Sequence, residues 1–235
     1  MGPGPGRPGR AARPADGPET SAEETSAEVP PPPAEAVAVF GATLPAAEHY
    51  ARLLAGPGVT RGLLGPREVP RLWSRHLLNS AAIADLVPRP ATLIDLGSGA
   101  GLPGIVLALL LPDVTVTLVE RMQRRSNFLS ECVDELSLGN ARVCQVTAEE
   151  LAGKVTADVV TARAVAPLDR LAGLAAGLVR PGGLILAIKG ATADEEVARA
   201  RPVLRRLGIQ DVAVVRAGEG KVDRAATVVR LVAGR

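Results

Sequence analysis

The run Asp95-Leu96-Gly97-Ser98-Gly99-Ala100-Gly101 closes a short apolar stretch, Thr92–Leu96. Glycines at 97, 99 and 101 let the backbone turn tightly and approach a ligand with no Cβ in the way. Between a strand and a helix, such a turn lies at the carboxyl end of the sheet, where open α/β folds place their ligand crevice. Pro103 suits a first helical turn, because its missing N–H costs little there. Glu120 ends the next apolar run about twenty residues on, where a carboxylate can accept hydrogen bonds from ribose hydroxyls.

The spacing alone leaves the ligand open. Gly99, Gly101 and Gly104 also satisfy the G-x-G-x-x-G dinucleotide pattern, which would make the chain a nicotinamide-dependent oxidoreductase, and Glu120 serves either an NAD or an adenosyl ribose. Asp95 tilts the choice. A carboxylate inside an apolar strand end is costly unless it is paired. Facing a zwitterionic cofactor it meets an ammonium group, whereas a pyrophosphate would be repelled. These residues favour S-adenosylmethionine, with Asp95, Gly97, Gly99, Gly101 and Glu120 in the expected cofactor set.

The elements that must carry these residues are short apolar runs alternating with helical patterns. Strands are expected at Thr92–Leu96, Val114–Glu120, Ala141–Val146, Ala157–Ala162 and Gly183–Lys189. Helices are expected at Gly104–Leu111, Gln123–Leu136, Glu149–Leu151, Leu168–Val179 and 192–206. This alternation indicates an α/β, doubly wound, mostly parallel sheet. Ile209–Arg216 and Ala225–Val232 have no helix between them and add an antiparallel pair at one edge, which brings the sheet to seven strands.

Upstream, Ala46–Leu54 reads as a short helix stopped by Gly56-Pro57-Gly58, and residues 66–87 as helical with a break at Pro70. These make an N-terminal helical cap over 37–90, ahead of a catalytic domain over 91–235. Residues 1–36, rich in Pro, Gly, Ala, Glu and Ser, bury too little apolar surface to offset ordering entropy, so order is expected from Val37 on.

Composition bounds the partners. Of the 235 residues 47% are hydrophobic but only 2% aromatic, so aliphatic side chains must fill the core. Residues 1–40 hold three Arg against six acidic groups, leaving 24 basic against 19 acidic groups in 41–235. A mildly basic body suits an anionic partner. Two cysteines, Cys132 and Cys144, make neither a disulfide framework nor a metal cluster, so no metal is expected. No window has the ~20 apolar residues of a membrane span, and the N-terminus lacks a signal-peptide stretch. A cytoplasmic monomer is expected.

Several segments together resemble one family. They are Leu72-Trp73-Ser74-Arg75-His76-Leu77-Leu78-Asn79-Ser80, the loop Asp95–Gly101 continuing through Leu102-Pro103-Gly104, Val119-Glu120, Arg124-Arg125-Ser126-Asn127-Phe128-Leu129, Ala148-Glu149-Glu150, Thr161-Ala162-Arg163-Ala164-Val165-Ala166-Pro167-Leu168 and Lys189-Gly190. In order, over about residues 44–233, they resemble the RsmG (GidB) family of bacterial small-subunit rRNA methyltransferases. The resemblance implies a Rossmann-like class I fold and methyl transfer from S-adenosylmethionine to N7 of a guanine in 16S rRNA. It also implies that Gly97 and Leu102 line the cofactor, that Ala148 and Glu149 flank its adenine, and that Arg163 reaches the active cleft.

Guanine N7 carries an in-plane lone pair and no proton, so its methylation needs orientation more than a general base. Arg163 and Lys189, at strand ends facing the crevice, are the catalytic candidates, able to hold phosphate or the guanine edge. His76, Arg124, Arg125 and Lys189 are the candidate RNA contacts. For His76 a structural place in the cap competes with RNA contact, and for Arg121, Arg124 and Arg125 an ordinary solvated helix start does. The scarcity of aromatics argues against extended single-strand binding by stacking, and favours a structured RNA or small ribosomal subunit. The same fold serves small-molecule and protein acceptors as well.

Overall fold

A computed structural model describes residues 1, 2, 4 and 28–234; most of the Pro/Gly/Glu-rich tail lies outside the described residues. Seven strands form one sheet in the order β3-β2-β1-β4-β5-β7-β6. They are β1 (Ala91–Leu96), β2 (Val114–Val119), β3 (Ala141–Cys144), β4 (Ala157–Arg163), β5 (Val179–Lys189), β6 (Asp211–Ala217) and β7 (Ala226–Val232). The first five run parallel, and β7 pairs antiparallel with both β5 and β6, as the missing late helix implied. The strand order reverses between β1 and β4, so the loops after them diverge and open a crevice.

Eight α-helices are assigned among the described residues: α1 (Ala34–Phe40), α2 (Leu44–Leu53), α3 (Leu78–Ala81), α4 (Gly104–Leu110), α5 (Gln123–Glu135), α6 (Ala148–Leu151), α7 (Leu168–Ala176) and α8 (Ala193–Arg206). Side chains alternate across a strand, so β1 feeds two cores. Leu93 joins the apolar cluster that the cap shares with α4 and α5, while Ile94 and Leu96 join the cluster beneath α7 and α8. Asp95 shares the parity of Leu93 and therefore points toward the cap. No described helix is long and apolar enough to cross a membrane.

Four expectations need correction. Order reaches further back than Val37: α1 starts at Ala34, Ala36 is fully buried, and the Trp73 indole N–H donates to the Pro30 carbonyl at 2.8 Å. Gly56-Pro57-Gly58 does not stop α2, which runs on as a widened π-turn over Leu54–Gly58. The 66–87 stretch is not one broken helix but a 3-10 segment (Pro66–Arg71), a π-turn (Leu72–Leu77), α3 and a second 3-10 turn (Ala84–Leu86). Finally, α7 ends at Ala176, and β5 begins at Val179 because Pro181-Gly182-Gly183 is accommodated within the strand's irregular start.

Candidate active site

The glycine turn hangs from the end of β1. Ser98 N–H donates to the Val119 carbonyl at 3.0 Å and Ser98 Oγ to the Asp95 carbonyl at 2.9 Å, which ties the turn to β2 and to its own strand. The buried Tyr50 hydroxyl of α2 donates to the Ala100 carbonyl at 2.7 Å and fastens the turn to the cap. Gly97 has φ +67°, and a Cβ there would lie 2.9 Å from Val165 Cγ2. Both the backbone conformation and the neighbour therefore demand glycine.

The Asp95 carboxylate does not face the cleft. One oxygen accepts the Gly104 N–H at 3.0 Å and the other the Thr161 hydroxyl at 2.9 Å, and the residue is buried. A Cβ on Gly104 would stand 2.7 Å from Asp95 Oδ2, so the third glycine of the dinucleotide-like pattern serves this internal bond. Burial pushes the Asp95 carboxyl up to about 6, against its hydrogen bonds with Thr161 and Gly104. The expected meeting of Asp95 with a cofactor ammonium is thus corrected: its partners are backbone and Thr161. Gly101 is likewise off the cleft, packed against Ile105 and Tyr50.

The turn forms one side of a cleft of about 620 Å³. Gly97–Ala100 and Leu102 line it from β1, Val119–Arg121 from β2, Val146–Glu149 from β3, and Arg163–Ala166 from β4, with Leu63, Leu64 and Arg125 also on its walls. Glu120 is buried, with Oε2 accepting Gly99 N–H at 3.1 Å and Oε1 accepting Met122 N–H at 2.9 Å. Each carboxylate oxygen has a second lone-pair site for a ligand hydroxyl. The neighbouring wall begins α6 with a capping box, Thr147 and Glu150 bonding each other's backbone N–H. A nucleoside fits these features: a glycine backbone for close approach, a buried carboxylate for ribose hydroxyls, and Ala148-Glu149 as a flat wall for a base. Glu120, Gly97, Gly99, Leu102, Ala148, Glu149 and Arg163 all line the cleft.

The loop after β4 is a partition. Arg163–Ala166 also line a second cleft of about 1040 Å³, bounded by Ser74–His76, Asn79, Lys189–Ala191, Arg199, Arg216, Asp223–Ala225 and Thr227 among others. Ala164 holds φ +54°, a conformation L side chains seldom adopt. Lys189 steadies the partition: its Nζ donates to the Ala166 carbonyl at 2.8 Å and pairs with Glu196 at 2.8 Å, and Glu196 also accepts Leu168 N–H at 3.1 Å. The Lys189 side chain is only 8% exposed, and its ammonium is engaged in these internal bonds at the edge of the second cleft.

His76 is likewise held by internal partners. It is buried, its Nε2 lies 2.8 Å from Glu68 Oε2 and its Nδ1 lies 3.1 Å from Arg163 Nη2. Burial lowers its pKa from the usual imidazole value, although the hydrogen bond to Glu68 opposes this. Arg163 also donates to the Arg75 carbonyl at 3.5 Å. Burial pulls its guanidinium below the usual value, against the pull of Tyr50 and Asp95, yet arginine stays charged. Arg125 reaches the first cleft, 3.7 Å from Glu120, whereas exposed Arg124 lines neither cleft. Sequence reasoning missed Tyr50, Glu68, Glu196, Arg199, Arg216 and Arg224. Only Tyr50, the single tyrosine on an otherwise apolar helix face, carried any signal.

Fold and cleft together define a class I S-adenosylmethionine-dependent methyltransferase. Among solved structures the chain is similar to M. jannaschii TYW2 in complex with AdoMet (TM-score 0.55, 16% identity, covering 70% of this chain and 78% of that one). It is also similar to a SAM-dependent O-methyltransferase from Thermotoga maritima (TM-score 0.52, 16% identity, covering 67% and 65%). At these identities the likeness establishes the fold. The chain belongs to the GidB family, rRNA small subunit methyltransferase G, whose model matches residues 43–226. It is 57% identical over 193 residues to the ribosomal RNA small subunit methyltransferase G of Thermobifida fusca, covering 82% of this chain and 81% of that protein. With its namesake in Streptomyces avermitilis it shares 53% over 210 residues, covering 89% and 88%.

Proposed function

We propose that the chain transfers a methyl group from S-adenosylmethionine to N7 of a guanine in 16S rRNA, the reaction the GidB family membership and the two adjoining clefts support. The observation that carries it is the partition Arg163–Ala166, one short loop lining both a nucleoside-sized cleft and a larger, basic one. Gly97, Gly99, Leu102 and Glu120 hold the cofactor, and Ala148 with Glu149 flanks its base. When bound, the cofactor supplies an electrophilic methyl on sulfonium sulfur. Arg75, Arg163, Arg199, Arg216 and Arg224 gather about the second cleft, with Asp223 and the already paired Glu196 as its acidic members. Such a field attracts RNA phosphates and positions the strand.

Guanine N7 has no proton to lose, so the chain supplies orientation and charge rather than a base. Arg163 is the catalytic residue, holding the guanine edge or its phosphate at the partition. Lys189 is a positioning residue for that partition. The target base must leave its stack, at a cost of a few kcal/mol that is smaller in a loop. The helical cap over 37–90 fastens the glycine turn of the domain over 91–235 through Tyr50. The protein works in the cytoplasm as a monomer.

Labelled S-adenosylmethionine and small subunits from cells lacking this methylation test the reading. Label is expected in the RNA, at a guanine revealed by N7-specific strand cleavage. Label in ribosomal protein, or none in either fraction, overturns it.

A further inference from the structure

We propose that Glu68 and His76 are positioning residues that hold the Arg163 guanidinium on the partition between the clefts, with His76 fixed as its Nε2–H tautomer. The proposal rests on the role given to Arg163 above. Arginine only donates hydrogen bonds, so the 3.1 Å contact makes His76 Nδ1 the acceptor, and the ring must be neutral. The single ring proton then sits on Nε2 and donates to Glu68 Oε2 at 2.8 Å.

Glu68 is itself oriented. Its Oε1 pairs with Arg71 at 2.5 Å, and Arg75 Nε lies 3.4 Å from Oε2. The chain of contacts therefore runs from a 3-10 segment of the cap, through a π-turn, to the last residue of β4. The π-turn supplies both holds on Arg163, the His76 ring and the Arg75 carbonyl. π-turns concentrate at functional sites, where they aim side chains that a regular helix would not. Two of the five guanidinium N–H donors are used in this way. A protonated His76 would replace the acceptor with an N–H and set two cations against each other. The charged groups facing the ring are Glu68 and Arg75 from the cap and Arg163 from β4, and burial holds the ring in its neutral form.

Substitutions separate positioning from packing. An asparagine Oδ1 falls near the histidine Nδ1 place and can accept from Arg163, whereas a glutamine reaches only the Nε2 place. His76→Ala is expected to lower kcat/KM for small subunits about tenfold, the effect of one lost hydrogen bond, with the S-adenosylmethionine Kd unchanged. His76→Asn recovers most of this loss and His76→Gln does not. In an Arg163→Ala background, His76→Ala adds nothing. Equal recovery by Asn and Gln, or a full further loss in that background, overturns the proposal.

A readout independent of activity is the long-range 1H–15N spectrum of the two histidines, with His49→Gln giving the assignment. His76 is expected as the Nε2–H tautomer at pH 7, and a shift is expected on Arg163→Ala. An Nδ1–H or doubly protonated His76 overturns the proposal. If Arg163→Ala transfers methyl at the full rate while the Nε2–H tautomer is present, the role of Arg163 is what fails, and the relay's part in transfer falls with it.

Discussion

The two clefts on either side of the Arg163–Ala166 partition are built by opposite means. The cofactor cleft is centred on the glycine-turn backbone, with Glu120 as its one deeply buried charge and leucines and arginines along its walls. Most of its lining lies within a few residues of a strand end, with Leu63 and Leu64 of the cap closing one side. The acceptor cleft is made of long side chains from distant segments, Arg75 from the cap, Arg199 from α8, Arg216 from β6 and Arg224 before β7. A small, constant ligand can be met by rigid backbone. A large, charged and variable partner is met by cations that share the load, so single losses should be severe in the first cleft and graded in the second.

The sharpest way to break this contrast is Gly97→Val, which forces a side chain into a positive-φ position against Val165. Strain and overpacking together cost several kcal/mol, so cofactor affinity by calorimetry is expected to fall about a hundredfold. Affinity within a few fold would show that the turn is pliable. Glu120→Ala comes next, since it strands the Gly99 and Met122 N–H groups and removes the hydroxyl acceptor. A loss of about thirtyfold in cofactor affinity is expected. Lys189→Met leaves Glu196 without its cation beneath the partition. About 3 kcal/mol of stability should go, read by denaturant unfolding, and transfer should drop more than cofactor binding.

Asp95→Asn should change cofactor affinity by less than about threefold, because the carboxylate faces Gly104 and Thr161. It has a second signature. The folded-state pKa of Asp95, about 6, lies above its ordinary 3.8, so the folded protein binds this proton more tightly than the unfolded chain does. The stability this adds is complete below 3.8 and is lost as the pH rises through about 6. Asp95→Asn should flatten that part of the stability–pH curve. A loss of cofactor binding as large as that of Glu120→Ala would restore Asp95 to the cleft. The smallest effect belongs to Arg124→Ala, exposed and outside both clefts, which should leave transfer within about twofold.

The contrast also explains what the sequence could show. The alternation of strands and helices, the antiparallel closing pair and the glycine turn were legible because each is written in contiguous residues. Glu120 was legible by its distance from the turn. Asp95 was misread because its chemistry suits a ligand and a helix start equally. Strand parity decides between them, and parity turns on which face the cap covers. The π-turns over Leu54–Gly58 and Leu72–Leu77 had no local signature, since Pro57 and the glycines beside it argue for a stop that burial of Leu54 and Ala55 in the cap's apolar cluster overrides. Glu68, Glu196 and the arginines of the second cleft are joined only by folding. His76 and Lys189 were singled out as polar groups, but Arg163 beside His76 and the Ala166 carbonyl beside Lys189 are brought to them by folding from positions 87 and 23 residues away.

The division between holding the cofactor and placing the acceptor meets at Arg163, and one preparation of Arg163→Ala tests it most directly. S-adenosylmethionine affinity by calorimetry and methyl transfer to undermethylated small subunits are measured on the same sample. Transfer is expected to fall about a hundredfold while the Kd moves less than about threefold, the loss of a positioned, charge-assisted contact at the reacting base. Equal losses in binding and transfer would contradict the account.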